Sequence, residues 1–166
     1  MPARRAHHVL ASATLVAAAC VCADGTAQAA PPDWSGRYTV VTFASDKLGT
    51  SIAARQPEPD FSGQYTFSTS CVGTCVATAT DGPAPSNPTI PHPPRYTWDG
   101  RQWVFNYNWQ WECFRGADVP TEYAAARSLV FYAPTADGTM YGTWRTEILE
   151  GLCKGTVIMP VAAYPA

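Results

Sequence analysis

The sequence predicts an all-β fold: an antiparallel meander of about eight strands, closed as a barrel or folded as a sandwich. Three observations lead there. The residues from Gln102 to Cys113 alternate without a break. Two Asp-Gly pairs, Asp99-Gly100 and Asp137-Gly138, sit between apolar runs as hairpin signals. No stretch after residue 29 sustains a helical period.

Taken in order, the first strand is predicted over Tyr38 to Phe43, where Val40, Val41 and Thr42 are β-branched. Ser51 to Arg55 is the best short helical candidate, and Pro57 ends it. Tyr65 to Phe67 and Val76 to Thr80 are the next strands. Asp81 to Pro94 holds Pro83, Pro85, Pro88, Pro91, Pro93 and Pro94, so it cannot enter a sheet interior. It is predicted as a stiff, extended crossover on the surface, with a partner-docking strip as the minority reading. Tyr96 to Trp98 then turns at Asp99-Gly100, as a type I′ turn, into the long strand. In that strand Trp103, Phe105, Tyr107, Trp109, Trp111 and Cys113 share one face, while Gln102, Val104, Asn106, Asn108, Gln110 and Glu112 share the other. Ser128 to Tyr132 is joined through Asp137-Gly138 to Met140 to Ile148, where Met140, Trp144, Thr146 and Ile148 share a face. Gly155 to Ala162 is the last strand.

Residues 1–29 carry the marks of a cleaved export signal. Arg4 and Arg5 precede an apolar run from Val9 to Ala23, and Ala27-Gln28-Ala29 is a small-x-small cleavage site. The run is short for a bilayer span, which needs about 20 apolar residues. The expected product is one secreted β domain over 30–166, with 81–94 as its proline-rich loop and no transmembrane segment. Acylation at Cys20 or Cys22 is the rival; Ala17-Ala18-Ala19 lacks the aliphatic residue expected upstream of such a cysteine. Either way the folded part is placed outside the cytoplasm, secreted or in the cell envelope. Without the signal, nine basic residues face twelve acidic ones. No basic stripe is present, which argues against nucleic acid as a partner.

Four cysteines remain: Cys71, Cys75, Cys113 and Cys153. In an exported chain an even number reads as two disulfides, although four cysteines allow three connectivities. The preferred pairing is Cys71 with Cys75 and Cys113 with Cys153. Cys-x3-Cys followed by widely separated cysteines fits no usual zinc spacing, and a thioredoxin-type site needs Cys-x-x-Cys. No metal and no cofactor is expected.

Several segments together resemble a known group. They are Ser70-Cys71-Val72-Gly73-Thr74-Cys75-Val76-Ala77-Thr78-Ala79, Trp98-Asp99-Gly100-Arg101-Gln102-Trp103, Asp137-Gly138-Thr139-Met140-Tyr141-Gly142-Thr143-Trp144 and Cys153. They are similar to small exported mycobacterial proteins and to the extracellular sensor portions of some mycobacterial Ser/Thr kinases. The likeness spans most of residues 34–165 and implies an envelope or secreted β-module with no catalytic constellation to carry over. Trp34-Ser35-Gly36-Arg37-Tyr38 also resembles the opening strand of lipocalin-like barrels, with its glycine and tryptophan in reverse order.

Catalysis finds little support in the sequence. His92, the one histidine after residue 29, lies between Pro91 and Pro93, and no Gly-x-Ser-x-Gly elbow occurs. Glu112 and Glu147 are the carboxylates a cell-wall glycoside hydrolase would need, but alternation puts each opposite the large aromatics. Arg145 and Glu147 are expected on the solvent face, paired with a neighbouring strand. Binding is the expected class. Trp103 and Phe105 read as core, whereas Trp109 and Trp111, nearer the strand end, are the ligand-binding candidates, with Tyr107 beside them and Arg55 as a possible mouth residue. The expected role is a non-catalytic binding or envelope-interaction module whose partner is a protein, glycan or lipid. A lipocalin-like carrier of a small apolar ligand is the first alternative.

Overall fold

A computed structural model describes residues 32–166. The signal sequence, its cleavage site, and Cys20 and Cys22 lie outside the described residues. The fold is a closed barrel of eight antiparallel strands in the order β1-β2-β3-β4-β5-β6-β7-β8, with β1 pairing β8. The strands are β1 Gly36–Thr42, β2 Phe61–Ser70, β3 Val76–Asp81, β4 Arg95–Trp98, β5 Trp103–Cys113, β6 Glu122–Pro134, β7 Met140–Ile148 and β8 Gly155–Pro165. The predicted meander is therefore observed, as a barrel and not a sandwich. No helix among the described residues is long and apolar enough to cross a membrane.

The predicted strands are all present, and several are longer than expected. β2 begins at Phe61 and β6 at Glu122. The early half of β6, Glu-Tyr-Ala-Ala-Ala-Arg, carries no large apolar alternation to announce it. Its alanines are small for a reason: Ala124 and Ala126 stand opposite Trp111 and Trp109 in the β5–β6 register, leaving room for the indoles. Ser51 to Arg55 forms one 3₁₀ turn, Ile52–Arg55, capped by Ser51, whose hydroxyl accepts from the Ala53 N–H at 3.1 Å.

The type I′ expectation at the two Asp-Gly turns is corrected. Gly100 and Gly138 have φ of 102° and 83°, but no non-glycine residue among those described has positive φ. Each aspartate instead binds the backbone ahead of it: Asp99 Oδ1 accepts from the Arg101 and Gln102 N–H groups, and Asp137 Oδ1 from that of Thr139. The side-chain acceptor thus fixes these loops without left-handed φ at the aspartate.

Both ends of the barrel are plugged. At the end where β5 begins, Trp34 is fully buried and stacks on Phe67, ring centroids 4.3 Å apart, among Tyr38, Tyr96, Trp103 and Tyr132. Thr69 clasps its backbone, accepting from the Trp34 N–H and donating to its carbonyl. At the other end the β1–β2 connection folds inward, and Ala44, Ala53 and Ala54 pack with Ile148 and Val157 around the Cys113–Cys153 disulfide. The second disulfide, Cys71–Cys75, clamps the β2–β3 turn. Both pairings are the preferred ones. By the chain-entropy model the long loop contributes about 4 kcal/mol and the short one about 2.

Candidate ligand cavity in the barrel

The wall of the barrel is incomplete where β4 is short. β5 pairs with β6 over all eleven of its residues, yet with β4 only at Thr97–Val104 and Trp98–Trp103. β2 likewise meets β3 only from Thr66 onward, so Phe61 to Tyr65 have no ladder partner on that side. A slot is left between the early part of β2 and the later part of β5. The proline-rich connection between β3 and β4 crosses it as a strap. Its prolines are what keep this segment from extending the sheet, since each lacks the N–H a ladder requires.

The strap is fastened to β5 by two side chains. Asn87, 7 % exposed, donates from Nδ2 to the Gln110 carbonyl at 2.8 Å and to Glu112 Oε1 at 3.2 Å. Thr89 Oγ1 accepts the Gln110 N–H at 3.0 Å, and the Asn87 side-chain oxygen holds the Thr89 hydroxyl and N–H. These contacts stand in for the missing stretch of β4 by satisfying both backbone groups of Gln110.

Behind the strap lies a cavity of about 490 Å³. Phe105, Tyr107, Trp109 and Trp111 project into the barrel yet remain only partly buried, because they border this space and are not packed across it. They form a ladder of rings with successive centroids 4.5, 6.4 and 5.4 Å apart. Tyr65, Tyr96, Tyr132 and Trp144 add to the aromatic lining, with Val130 and Met159. Pro83, Pro85, Ile90 and Pro91 of the strap form the outer wall.

One polar cluster reaches this wall. Ser128 accepts from the Trp109 indole N–H at 2.8 Å and shares a hydrogen bond of 2.8 Å with the fully buried Thr146. Burial pushes the Tyr107 phenol up to about 12, with Ser128 and Trp144 beside it partly opposing the shift. Burial and the neighbouring phenols hold Tyr96 and Tyr132 well above the usual tyrosine value, and burial raises Tyr65. All four phenols lining the cavity are therefore neutral around neutral pH. The indole N–H groups of Trp111 on the wall, and of Trp34 and Trp103 in the plug, are buried without an acceptor among the described residues.

Of the sequence-derived candidates, Tyr107, Trp109 and Trp111 come together on the cavity wall. Arg55 does not join them; it is exposed at the end of its 3₁₀ turn, near the disulfide plug. Trp103 is core, as expected, whereas Phe105 packs against the core and also borders the cavity. The two carboxylates do not share a cleft. Glu147 lies on the outer face, bound by Arg127 at 2.7 Å, and only Glu112 borders the cavity. No group of three or more metal-ligating side chains occurs among the described residues. Tyr65, Tyr96, Tyr132 and Trp144 were not singled out as site residues. For Trp144 the shared face with Met140 and Thr146 placed it inward without telling core from cavity.

The barrel has a known counterpart. It is similar to the sensor domain of M. tuberculosis PknI. That solved structure, of the monomer form, superposes with a TM-score of 0.58 over 82% of this chain and 90% of that one, at 20% identity. The likeness shows a shared fold and agrees with the resemblance to mycobacterial kinase sensor portions carried by the cysteine and turn motifs. No family model matches the chain. No curated protein matches it either.

Proposed function

We propose that this protein is an exported, non-catalytic binding module that holds a small, largely apolar molecule inside its barrel. The observation that carries this reading is the cavity itself: about 490 Å³, lined by aromatic rings, between two packed plugs and beneath a strap. Its volume falls within the range of small-molecule sites, roughly 300–1,000 Å³. Export is supported by the signal-like residues 1–29 and by two disulfides, which belong to oxidising compartments. The mature unit in this reading is a single domain over residues 30–166. A binding role without chemistry is supported by the cavity's makeup, since its inner wall offers rings and neutral hydroxyls but no nucleophile paired with a base. The fold shared with a sensor domain suits the same reading.

Native mass spectrometry of the secreted protein, compared with the denatured chain, tests it. A reproducible extra mass released on denaturation is expected, and its value names the ligand's composition. A chain that carries nothing, and whose tryptophan fluorescence is unmoved by any small aromatic probe, would refute ligand binding in the barrel. The denatured mass also tests the rest: a chain starting at Ala30 with two disulfides is expected, and free thiols or an acyl group would contradict it.

A further inference from the structure

The charges around the cavity are one-sided, and this bears on the ligand's own charge. No lysine or arginine lines the cavity; apart from the tyrosines, its ionisable residues are Glu58, His92 and Glu112, all toward the strap side or mouth. Glu58 is already neutralised by Lys47, whose side chain is only 6% exposed. Glu112 has a neutral partner in Asn87 and no ion pair among the described residues. The mouth therefore carries an uncompensated negative charge, and the interior behind it is lined with aromatic rings.

Tyrosine and tryptophan faces are the negative ends of their quadrupoles, and they attract cations. Such attraction strengthens as the site is desolvated. An anion would find neither a cation nor a helix N-terminus in the cavity, and the unpaired indole N–H of Trp111 alone offsets little of its desolvation. A neutral molecule fits sterically but gains nothing from Glu112.

We propose that the cavity takes an organic cation, an amine or quaternary ammonium on an apolar body, with its rings or chain among Phe105, Tyr107 and Trp109 and its charge near Trp111 and Glu112. This rests on the reading of the barrel as a ligand-binding module and adds the sign of the ligand's charge. The Trp109 indole is fixed by Ser128, so its face is held in place in advance.

Three single-ring probes of different charge test it by titration against tryptophan fluorescence: benzyltrimethylammonium, benzyl alcohol and phenylacetate. The expected order is cation tightest, by about tenfold over the alcohol, with phenylacetate weakest. Glu112→Gln, a change at an exposed position that leaves the fold intact, is expected to weaken the cation about threefold and leave the alcohol unchanged. Added salt should weaken the cation alone. If the alcohol or phenylacetate binds as tightly as the cation, the charge assignment is overturned while ligand binding stands. If none of the three binds, the cavity is not a ligand site and both readings fall.

Discussion

Replacing Asn87 by alanine is expected to release the strap without unfolding the barrel. Asn87 is the strap's most buried residue, and its amide group makes two bonds to β5 while positioning Thr89 for a third. The bond to the Gln110 carbonyl and the Thr89 bond to the Gln110 N–H are neutral, each worth about 1 kcal/mol net. The bond to Glu112 is long and its acceptor exposed, so it adds little. A loss of about 2 kcal/mol in local closing energy raises the open population of the strap roughly thirtyfold. Everything else in the barrel remains: the eleven-residue β5–β6 ladder, both plugs and both disulfides.

Amide hydrogen exchange reads this at one site. The Gln110 N–H bonds to Thr89 Oγ1, so its protection should fall by that roughly thirtyfold factor, whereas amides in the β6–β7 ladder should change only as global stability changes. Binding and release of any cavity ligand should accelerate together, leaving its equilibrium affinity less affected. Unchanged exchange at Gln110 would show that the strap is not held by Asn87. A uniform drop across all strands would show that the clamp belongs to the cooperative core and does not open locally.

Three further outcomes follow from the geometry. Cys113→Ala with Cys153→Ala should cost about 4 kcal/mol in urea unfolding and the Cys71/Cys75 pair about 2, an order that reverses if the short clamp governs the β2–β3 turn. Ser128→Ala strands the Trp109 indole N–H and the buried Thr146 hydroxyl, so a loss of about 2–3 kcal/mol and a shifted tryptophan emission are expected; unchanged stability would mean that water replaces the hydroxyl. Stability should be flat with pH below 10 as far as the tyrosines are concerned and fall above it, because the unfolded phenols ionise near 10 while Tyr107 holds its proton to about 12. That residue alone removes about 2 kcal/mol by pH 12, to which Tyr96 and Tyr132 add in the same direction. Parallel tyrosinate absorbance and circular dichroism titrations check it, and ionisation of all phenols near pH 10 in the folded state would contradict the burial.

The strands were legible where large residues alternate, because a period of two leaves no other reading of Trp103 to Cys113. They were illegible where the barrel needs small ones. Ala124, Ala126 and Gly142 are inward or close-approach positions: a Cβ on Gly142 would meet the Phe131 carbonyl, so only glycine allows β6 and β7 to coil this tightly. Half of the candidate site was also legible, through the β5 ladder. The rest was not, because alternation tells which side chains face inward but not whether anything faces them across the barrel. Arg55 was misplaced for a related reason: the sequence shows a short capped turn but not which end of the barrel it closes.

What separates a cavity from a core here is the strand count at one seam. Eight strands enclose an interior that side chains just fill, or that holds one small ligand. Both outcomes occur in this molecule: tryptophan, tyrosine and methionine fill the Trp34 end, while the middle stays open. The opening coincides with the only connection rich in proline, between β3 and β4. Had β4 continued along β5 past Val104, its inward residues would have added a further wall of side chains over Tyr107 and Trp109. Prolines in its place forbid the ladder and leave the rings of β5 facing free volume. They also keep the cover narrow and fastened at few points, chiefly Asn87 and Thr89. The same residues that read in the sequence as a barrier to sheet formation thus open the chamber and close it.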